Sequence, residues 1–353
     1  MPAVLIVTAS ARRRGAEIQA TQLATALRHQ GWQIDVAALS SGTSGTPLPI
    51  RVLGRRRLTP ATLWRLRRAA RGADAVIAYG SSTLPACVIA LARSGTPFVY
   101  RSISDPARWL RGPLHRLITR IQYRRPDTIV ALWDAAARSI SDVFGVSASK
   151  ISIIPNARDA EWFRPPSATE RAVARARFGL TPGRHAVGFI GSLTPEKRID
   201  LALAAIALLP EHVLLVAGSG VAMAETQRSA ERIAKGRVTF LGEVTDVLGV
   251  LHASDAIVIT SDVEGMPGVA IEAALCGVPV VATPAGALTT MSWVQIVDRD
   301  PLAIARGLRE ACARGAADPV AVSKFTWPAV TTDWERVLAA VKRRKALGAM
   351  RRR

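Results

Sequence analysis

Short apolar runs of strand length recur in the first half of the chain at residues 4–8, 34–38, 75–79, 97–100, 128–132 and 151–154. Between them lie segments with helical spacing of apolar positions, such as 16–30, which closes on Gly31. Runs that are apolar throughout, rather than at every second residue, suit strands covered on both faces, so this alternation predicts a parallel sheet with helices on each side. The pattern restarts at 185–190, 212–217, 238–241, 256–260 and 279–283 and predicts a second sheet of the same kind. Between the two, Pro165, Pro166, Pro182 and Gly183 punctuate a short charged helix and mark a linker. The expected fold class is α/β with two doubly wound, Rossmann-like domains, at residues 1–165 and 166–326, followed by a last helix and basic tail at 327–353. Two such domains facing each other would leave a cleft bounded by the C-terminal ends of their strands, where folds of this kind take ligands.

Charge changes this picture. Of the 47 Lys and Arg, 24 lie in residues 1–165 against 9 Asp and Glu, whereas residues 166–353 hold 23 against 18, with seven of those 23 in the tail from Lys342 to Arg353. The excess belongs to the first half and the tail, which points to an anionic partner for one half only. In the segment 55–71, Leu58, Thr62, Leu63, Leu66, Ala69 and Ala70 share one helical arc, while Arg65, Arg67, Arg68 and Arg71 share the other with Trp64 among them. Tryptophan among arginines on an exposed face suits an anionic membrane surface, the alternative being a solvated helix face. A second basic and aromatic stretch, 108–125 with Trp109, His115 and Tyr123, has the same character.

Other classes are disfavoured. Cys87, Cys276 and Cys312 are far apart in sequence and make neither a disulfide framework nor a metal cluster, which fits a reducing compartment. The first apolar run is followed, not preceded, by Arg12, Arg13 and Arg14, the wrong order for a secretory signal, and no apolar stretch is long enough to span a bilayer. A cytoplasmic protein, soluble or peripheral on the inner face of the membrane, is expected. The five histidines are dispersed, without metal-ligand spacing, and read as surface or helix-end residues. No nucleic-acid recognition motif accompanies the basic charge, and no nucleic-acid partner is expected.

The most informative segment runs from Ser261 to Pro279. It leaves a predicted strand, passes through Glu264, Gly265, Met266, Pro267 and Gly268, and enters an amphipathic helix that carries Glu272 and stops at Gly277. Exposed amides at that helix start would hold phosphate oxygens, and the two carboxylates could accept from sugar hydroxyls; alternatively Glu264 caps the helix and Glu272 is a surface residue.

The spacing S-x-x-E-G-x-P-x-x-x-x-E-A-x-x-x-G-x-P-V-V-A-T resembles the donor-site motif of the retaining GT-B glycosyltransferases of family four. Other segments agree in the family's order. Arg14-Gly15-Ala16-Glu17 is similar to its first glycine turn and Ile153-Ile154-Pro155-Asn156-Ala157 to its V-I-P-N-G segment. Phe189 to Lys197 is similar to its phosphate loop, and Leu214 to Gly220 to the strand and G-x-G turn of its second domain. The resemblance implies a GT-B fold whose last helix returns to the first domain. It implies retaining, metal-independent transfer of a sugar from a nucleotide-diphosphate donor to a lipid-linked, glycan or small-molecule acceptor, with no further cofactor. In that family's roles, Glu272 would bind the ribose and Glu264 the donor sugar, while Lys197 would neutralise the diphosphate leaving group. Gly15 would let the backbone approach the distal phosphate, Ala285 and Gly286 would sit near the same phosphates, and Ser192, Arg198, Gly218 and Gly220 join them as expected substrate-binding residues. From its own position, in a loop after Ser102 and before Pro106, Asp105 is either an acceptor contact or a plain turn aspartate, and closure of the domains would exclude water.

Three departures from the family pattern stand out. Ser192 replaces a usual arginine, with Arg198 at a different spacing. Where many members carry a histidine after a strand, this chain reads Ala78-Tyr79-Gly80-Ser81 and Tyr100-Arg101-Ser102, and Ala285-Gly286 replaces a usual Gly-Gly. The readings that compete with a transferase are a degenerate, inactive member and a nucleotide-sugar epimerase or phosphorylase on the same scaffold.

Overall fold

The computed structural model describes residues 3–43, 46–105, 110, 112–314 and 319–350. The chain divides into two compact units, Met1–Asn156 with Trp327–Arg353, and Ala157–Thr326. The division falls just after Asn156, nine residues before the boundary expected from the prolines, because residues from Ala157 onward pair with the second unit. The amide of Arg158 donates to Phe325 O at 2.8 Å.

Unit 1 is a seven-stranded parallel sheet in the order β3-β2-β1-β4-β5-β6-β7. Its elements are β1 (Ala3–Ser10), α1 (Gly15–His29), β2 (Gln33–Ser40), β3 (Arg51–Val52), α2 (Pro60–Ala69), β4 (Ala75–Tyr79) and α3 (Leu84–Ala90), then β5 (Phe98–Arg101), α4 (Gly112–Tyr123), β6 (Thr128–Ala131), α5 (Asp134–Phe144) and β7 (Ile151–Ile153). The apolar runs become the buried centre: Leu5, Ile6, Val76, Ile77, Val99 and Ile129 are fully enclosed. Thr59 caps α2 by accepting from the Thr62 amide, Pro60 starts it, and Gly145 in the left-handed region ends α5. The closing helix, Trp327–Met350, packs on α1 and β4 with Trp334 buried, and Trp32 Nε1 donates to Glu335 Oε1 at 3.1 Å.

At the end of β5, Arg101 is buried, and among the described residues no carboxylate pairs with it. Its guanidinium donates to Ile154 O at 2.5 Å, Pro155 O at 3.0 Å and Asn156 Oδ1 at 3.3 Å, and lies 5.7 Å from the Trp334 ring centroid. Burial lowers its pKa, but an arginine this basic stays charged. One cation thus satisfies the carbonyls where the chain leaves β7 and fixes the closing helix on the sheet.

Unit 2 is a six-stranded parallel sheet in the order β10-β9-β8-β11-β12-β13. It comprises α6 (Ala168–Arg177), β8 (His185–Ile190), α7 (Ile199–Ala207), β9 (His212–Ala217), α8 (Met223–Ile233) and β10 (Val238–Gly242), then α9 (Val247–Ala253), β11 (Ala256–Ile259), α10 (Gly268–Leu275), β12 (Val280–Ala282), β13 (Val294–Ile296) and α11 (Pro301–Arg314). In both units strand order reverses beside the first strand, between β1 and β4 and between β8 and β11. Loops that leave adjacent strands there turn to opposite faces and open a crevice.

Several expectations are corrected. His212 is buried in a strand rather than at the surface or a helix end, whereas His252 is a helix-end residue, in the last turn of α9, and is buried as well. His212 begins β9 opposite His185, with ring centroids 4.9 Å apart, and burial followed by that neighbour lowers its pKa. His252 Nε2 lies 3.1 Å from Arg164 O. In α2, Thr62, Leu66 and Ala70 form the buried arc, but Leu58 is exposed ahead of the helix. Arg67 leaves the basic face, because it donates to Ala90 O and Ala92 O at 3.2 and 2.9 Å. All three thiols are pushed up to about 12 by burial, which leaves them protonated and unreactive. Among the described residues no helix is long and apolar enough to cross a membrane.

Candidate active site

In unit 2 the loops that leave β8 and β11 meet at the strand-order reversal. The β8 loop, Gly191 to Arg198, is clamped from both sides. On one side Gly191 N donates to Ala217 O and Leu193 N to Ser219 O, both at 2.9 Å. On the other, Thr260 Oγ1 donates to Lys197 O at 2.9 Å and Asp262 N to Glu196 O at 2.8 Å. Gly218 has φ +148°, and a Cβ there would overlap the Gly191 carbonyl, while one at Gly220 would overlap Leu193 O. These glycines let the neighbouring loop pack directly against the turn, a supporting position for residues expected among the substrate-binding set.

The clamped loop delivers Lys197 to Glu264, with Nζ 2.5 Å from Oε1, and Ser261 Oγ donates to the same oxygen at 2.7 Å. The side chains of Lys197 and Glu264 are only 25% and 10% exposed, so the pair is shielded from most of the solvent that weakens surface ion pairs. Behind them Gly286, at φ +52°, lies against the Glu264 and Gly265 carbonyls with no room for a Cβ. Ala287 N donates to Gly265 O at 2.8 Å, and Ala285 and Met266 are buried. Met266, Pro267 and Gly268 lead into the N-terminus of α10.

Glu272, one turn into α10, is paired through Oε1 with Arg158 Nε, and both side chains are 14% exposed. Arg158 lies across the start of the helix, where a Cβ on Gly268 would fall on its guanidinium. Glu272 is thus neither a cap nor a free surface carboxylate. Arg198 adopts a left-handed backbone and turns its guanidinium onto Asp200, with contacts of 3.0 and 2.8 Å, and toward Asp262 at 3.5 Å. It does not replace the missing loop cation. Ser192 is exposed beside Thr194, with its hydroxyl 3.5 Å away.

The structure brings together Lys197, Glu264, Gly265, Ala285 and Gly286, with Glu272 and Gly268 at the adjoining helix. Gly15 and Asp105 belong to unit 1. Gly15 begins α1 under open space, whereas Asp105 Oδ1 accepts from Ser139 Oγ at 2.7 Å. Sequence reasoning placed Ser261 at the head of the motif without giving it a role, and missed Arg158 and Arg299, whose Nη2 donates to Pro284 O at 2.5 Å and steadies the loop after β12. Among the described residues no three His, Cys, Asp or Glu side chains gather as metal ligands.

Comparison with known proteins follows this division into units. Residues 184–314 match the family model for glycosyl transferases group 1, and residues 13–162 match that for glycosyltransferase family 4. The D-inositol 3-phosphate glycosyltransferase of Mycobacterium marinum is 35% identical over 170 residues, which cover 46% of this chain and 36% of that protein. The chain therefore matches little more than a third of the length of such curated relatives. The structure of Alr3699/HepE from Anabaena in complex with UDP and glucose superposes with a TM-score of 0.83 at 20% identity, over 96% of this chain and 100% of the other. A glycosyltransferase of Rickettsia africae does so with a TM-score of 0.82 at 13% identity, over 96% and 98%. Two family models on the two parallel-sheet units, and a shared fold along the whole chain, make this protein a member of the group 1 glycosyltransferases with the GT-B fold.

Proposed function

We propose that the protein transfers a sugar, with retention of anomeric configuration, from a nucleotide-diphosphate sugar bound by unit 2 to a hydroxyl acceptor. The observation that carries this reading is the Lys197–Glu264 pair held at the strand-order reversal by two clamped loops. Glu264 accepts from hydroxyls of the donor sugar, and Lys197 sits where it neutralises the departing diphosphate. In the transfer the bond from the anomeric carbon to the diphosphate oxygen breaks and the bond to the acceptor oxygen forms. The acceptor proton leaves with the diphosphate, and Lys197 compensates the charge that builds on the leaving oxygen. Glu272 takes the ribose through the oxygen that Arg158 does not occupy, and the amides at the start of α10 face the phosphates. Because the cation is a lysine, the reading is metal-independent. The Anabaena complexes with UDP and UDP-glucose support a uridine donor, and the name of the mycobacterial relatives, D-inositol 3-phosphate glycosyltransferase, supports a small phosphorylated polyol as acceptor. Proton NMR of the product from an α-linked donor should show an α-glycoside, at a rate unchanged by EDTA. A β-glycoside, or activity that EDTA abolishes, would refute the retaining, metal-independent step.

The reading extends to a membrane-associated enzyme working from the cytoplasmic face. Leu114, Leu117, Ile118 and Ile121 of α4 are 68%, 56%, 44% and 51% exposed, at positions that share one helix face. Exposed Ile89 on α3 and Trp64 on α2 belong to the same layer, since α3 packs against both helices, and Arg68 stacks 5.5 Å from the Trp64 ring. Arg65 donates to Leu53 O at 2.9 Å, which turns part of its guanidinium inward. Apolar side chains rimmed by arginines suit the interface of an anionic bilayer. Trp109 and Arg351 to Arg353 of the tail lie outside the described residues. In vesicle sedimentation, the protein should prefer phosphatidylglycerol-containing vesicles over pure phosphatidylcholine, and Leu117→Glu with Ile121→Glu should weaken binding by at least about tenfold. Equal binding to both lipids would refute the electrostatic part, and undiminished binding by the variant would refute the α4 stripe.

A further inference from the structure

Arg158 stands where the stability of unit 2 does not call for a cation. Its guanidinium lies so close to Gly268, the first residue of α10, that a Cβ there would overlap Nη2. A helix start carries partial positive charge and disfavours a cation, and no side chain caps α10, whose N-cap is Pro267. Glu272 balances the charge of the guanidinium, but nothing balances the amides. The guanidinium is also fixed in place. Arg158 N donates to Phe325 O at 2.8 Å, and the same backbone bridges Thr326. Nη1 donates to Ala157 O at 2.8 Å and Nε is taken by Glu272, whereas among the described residues Nη2 has no protein acceptor.

An arginine can serve two anions at once, because its five N–H groups point in different directions of one plane. Here one side of the fork holds a carboxylate, and Nη2 is left beside the first amides of a helix, the place that suits a phosphate. We infer that Arg158 binds the phosphate next to the ribose of the nucleotide donor. The inference rests on the nucleotide-sugar reading proposed above, in which Glu272 takes the ribose. The phosphate attached to that ribose then lies nearest the guanidinium that Glu272 already holds, and Arg158 sets the spacing between the two contacts. Its role differs from that of Lys197. The proximal phosphate is charged before, during and after transfer, so Arg158 strengthens donor binding throughout, whereas Lys197 answers the charge that develops on the leaving oxygen. Removing Arg158 should therefore raise KM for the donor and leave kcat nearly unchanged.

Calorimetric titration of the full chain with UMP and UDP, and with uridine by competition against UDP, tests the assignment, with the guanosine and adenosine series run in parallel. The wild type is compared with Arg158→Gln, with Arg158→Lys, which keeps a cation for Glu272 but offers no fork, and with Arg51→Gln, which removes an exposed cation of unit 1. In Arg158→Gln the gain in affinity from uridine to UMP should shrink at least about tenfold, the size of one charge-assisted hydrogen bond. Uridine itself should stay within about threefold of wild type, and the gain from UMP to UDP within about twofold. Arg158→Lys should lose at least about threefold of the first step, and Arg51→Gln none of it. An unchanged step from nucleoside to monophosphate in Arg158→Gln overturns the assignment. An equal loss for uridine, UMP and UDP also overturns it, since Arg158 would then only hold Glu272, and so does a loss confined to the step from UMP to UDP. Where Arg158→Gln does not fold, Arg158→Lys decides, and a full wild-type step in that variant overturns the assignment. A wild type that binds none of the three series removes the nucleotide-sugar reading and this inference with it, whereas a wild type that binds, with an unchanged step in the variants, removes this inference alone.

Discussion

Lys197→Ala should lower turnover by about 10²- to 10³-fold while changing donor affinity far less, the size expected when one preorganised group facing developing charge is removed. The sign of the split between turnover and binding follows from the chemistry. The diphosphate is already anionic in the bound donor, but the oxygen that leaves the anomeric carbon acquires its charge only as the bond breaks, so the lysine contributes most in the transition state. This chain has little to fall back on. Ser192 is uncharged, and Arg198 is engaged by Asp200 and Asp262. The substitution also leaves Glu264, 10% exposed, with Ser261 as its remaining partner. The thermal midpoint without ligand must therefore be measured beside kcat and KM. A variant that folds and turns over at the wild-type rate would remove Lys197 from leaving-group stabilisation.

Glu272→Ala should weaken nucleotide binding by about 100-fold. Hydrogen bonds from hydroxyls to a charged acceptor contribute roughly 1.5–3 kcal/mol each, and about 2.7 kcal/mol is a hundredfold in Kd. The Arg158 pair adds a second effect with the same sign. With Glu272 gone, a guanidinium only 14% exposed is left uncompensated at the start of α10, free to shift into the space that the nucleotide needs. Glu272→Gln separates the two contributions, because it keeps an oxygen for the ribose while it discharges the pair. It should fall between wild type and Glu272→Ala.

The parallel sheets were legible because their strands are buried on both faces and carry continuous apolar runs. The edges were not. Arg51–Val52 is two exposed residues, and Val294–Ile296 is a three-residue edge strand, too short for any period to appear. The loop and helix that carry Glu264 and Glu272 could be read because both residues fall in one continuous segment whose spacing carries the signal. Arg158, by contrast, meets Glu272 across 114 residues, and a single arginine after Pro-Asn-Ala announces no such partner. Arg198, expected among the substrate-binding residues although at a different spacing from the usual arginine, is a left-handed residue whose guanidinium turns onto Asp200, a direction that spacing does not announce. The apolar face of α4 was hidden for another reason. Its leucines and isoleucines have the spacing of an ordinary buried stripe, and only the fold reveals that no described residue of unit 1 covers them.

The most direct test of the account is nucleotide binding followed by thermal unfolding, with UDP, GDP and ADP and their glucose derivatives added to wild type and to Glu272→Ala. A ligand at about 100 times its Kd adds roughly 2.7 kcal/mol, enough to raise the midpoint by several degrees. The account predicts a selective rise with the uridine compounds in the wild type, lost in Glu272→Ala. No rise with any nucleotide, or an equal rise in the variant, would contradict a nucleotide-sugar site at Lys197, Glu264 and Glu272.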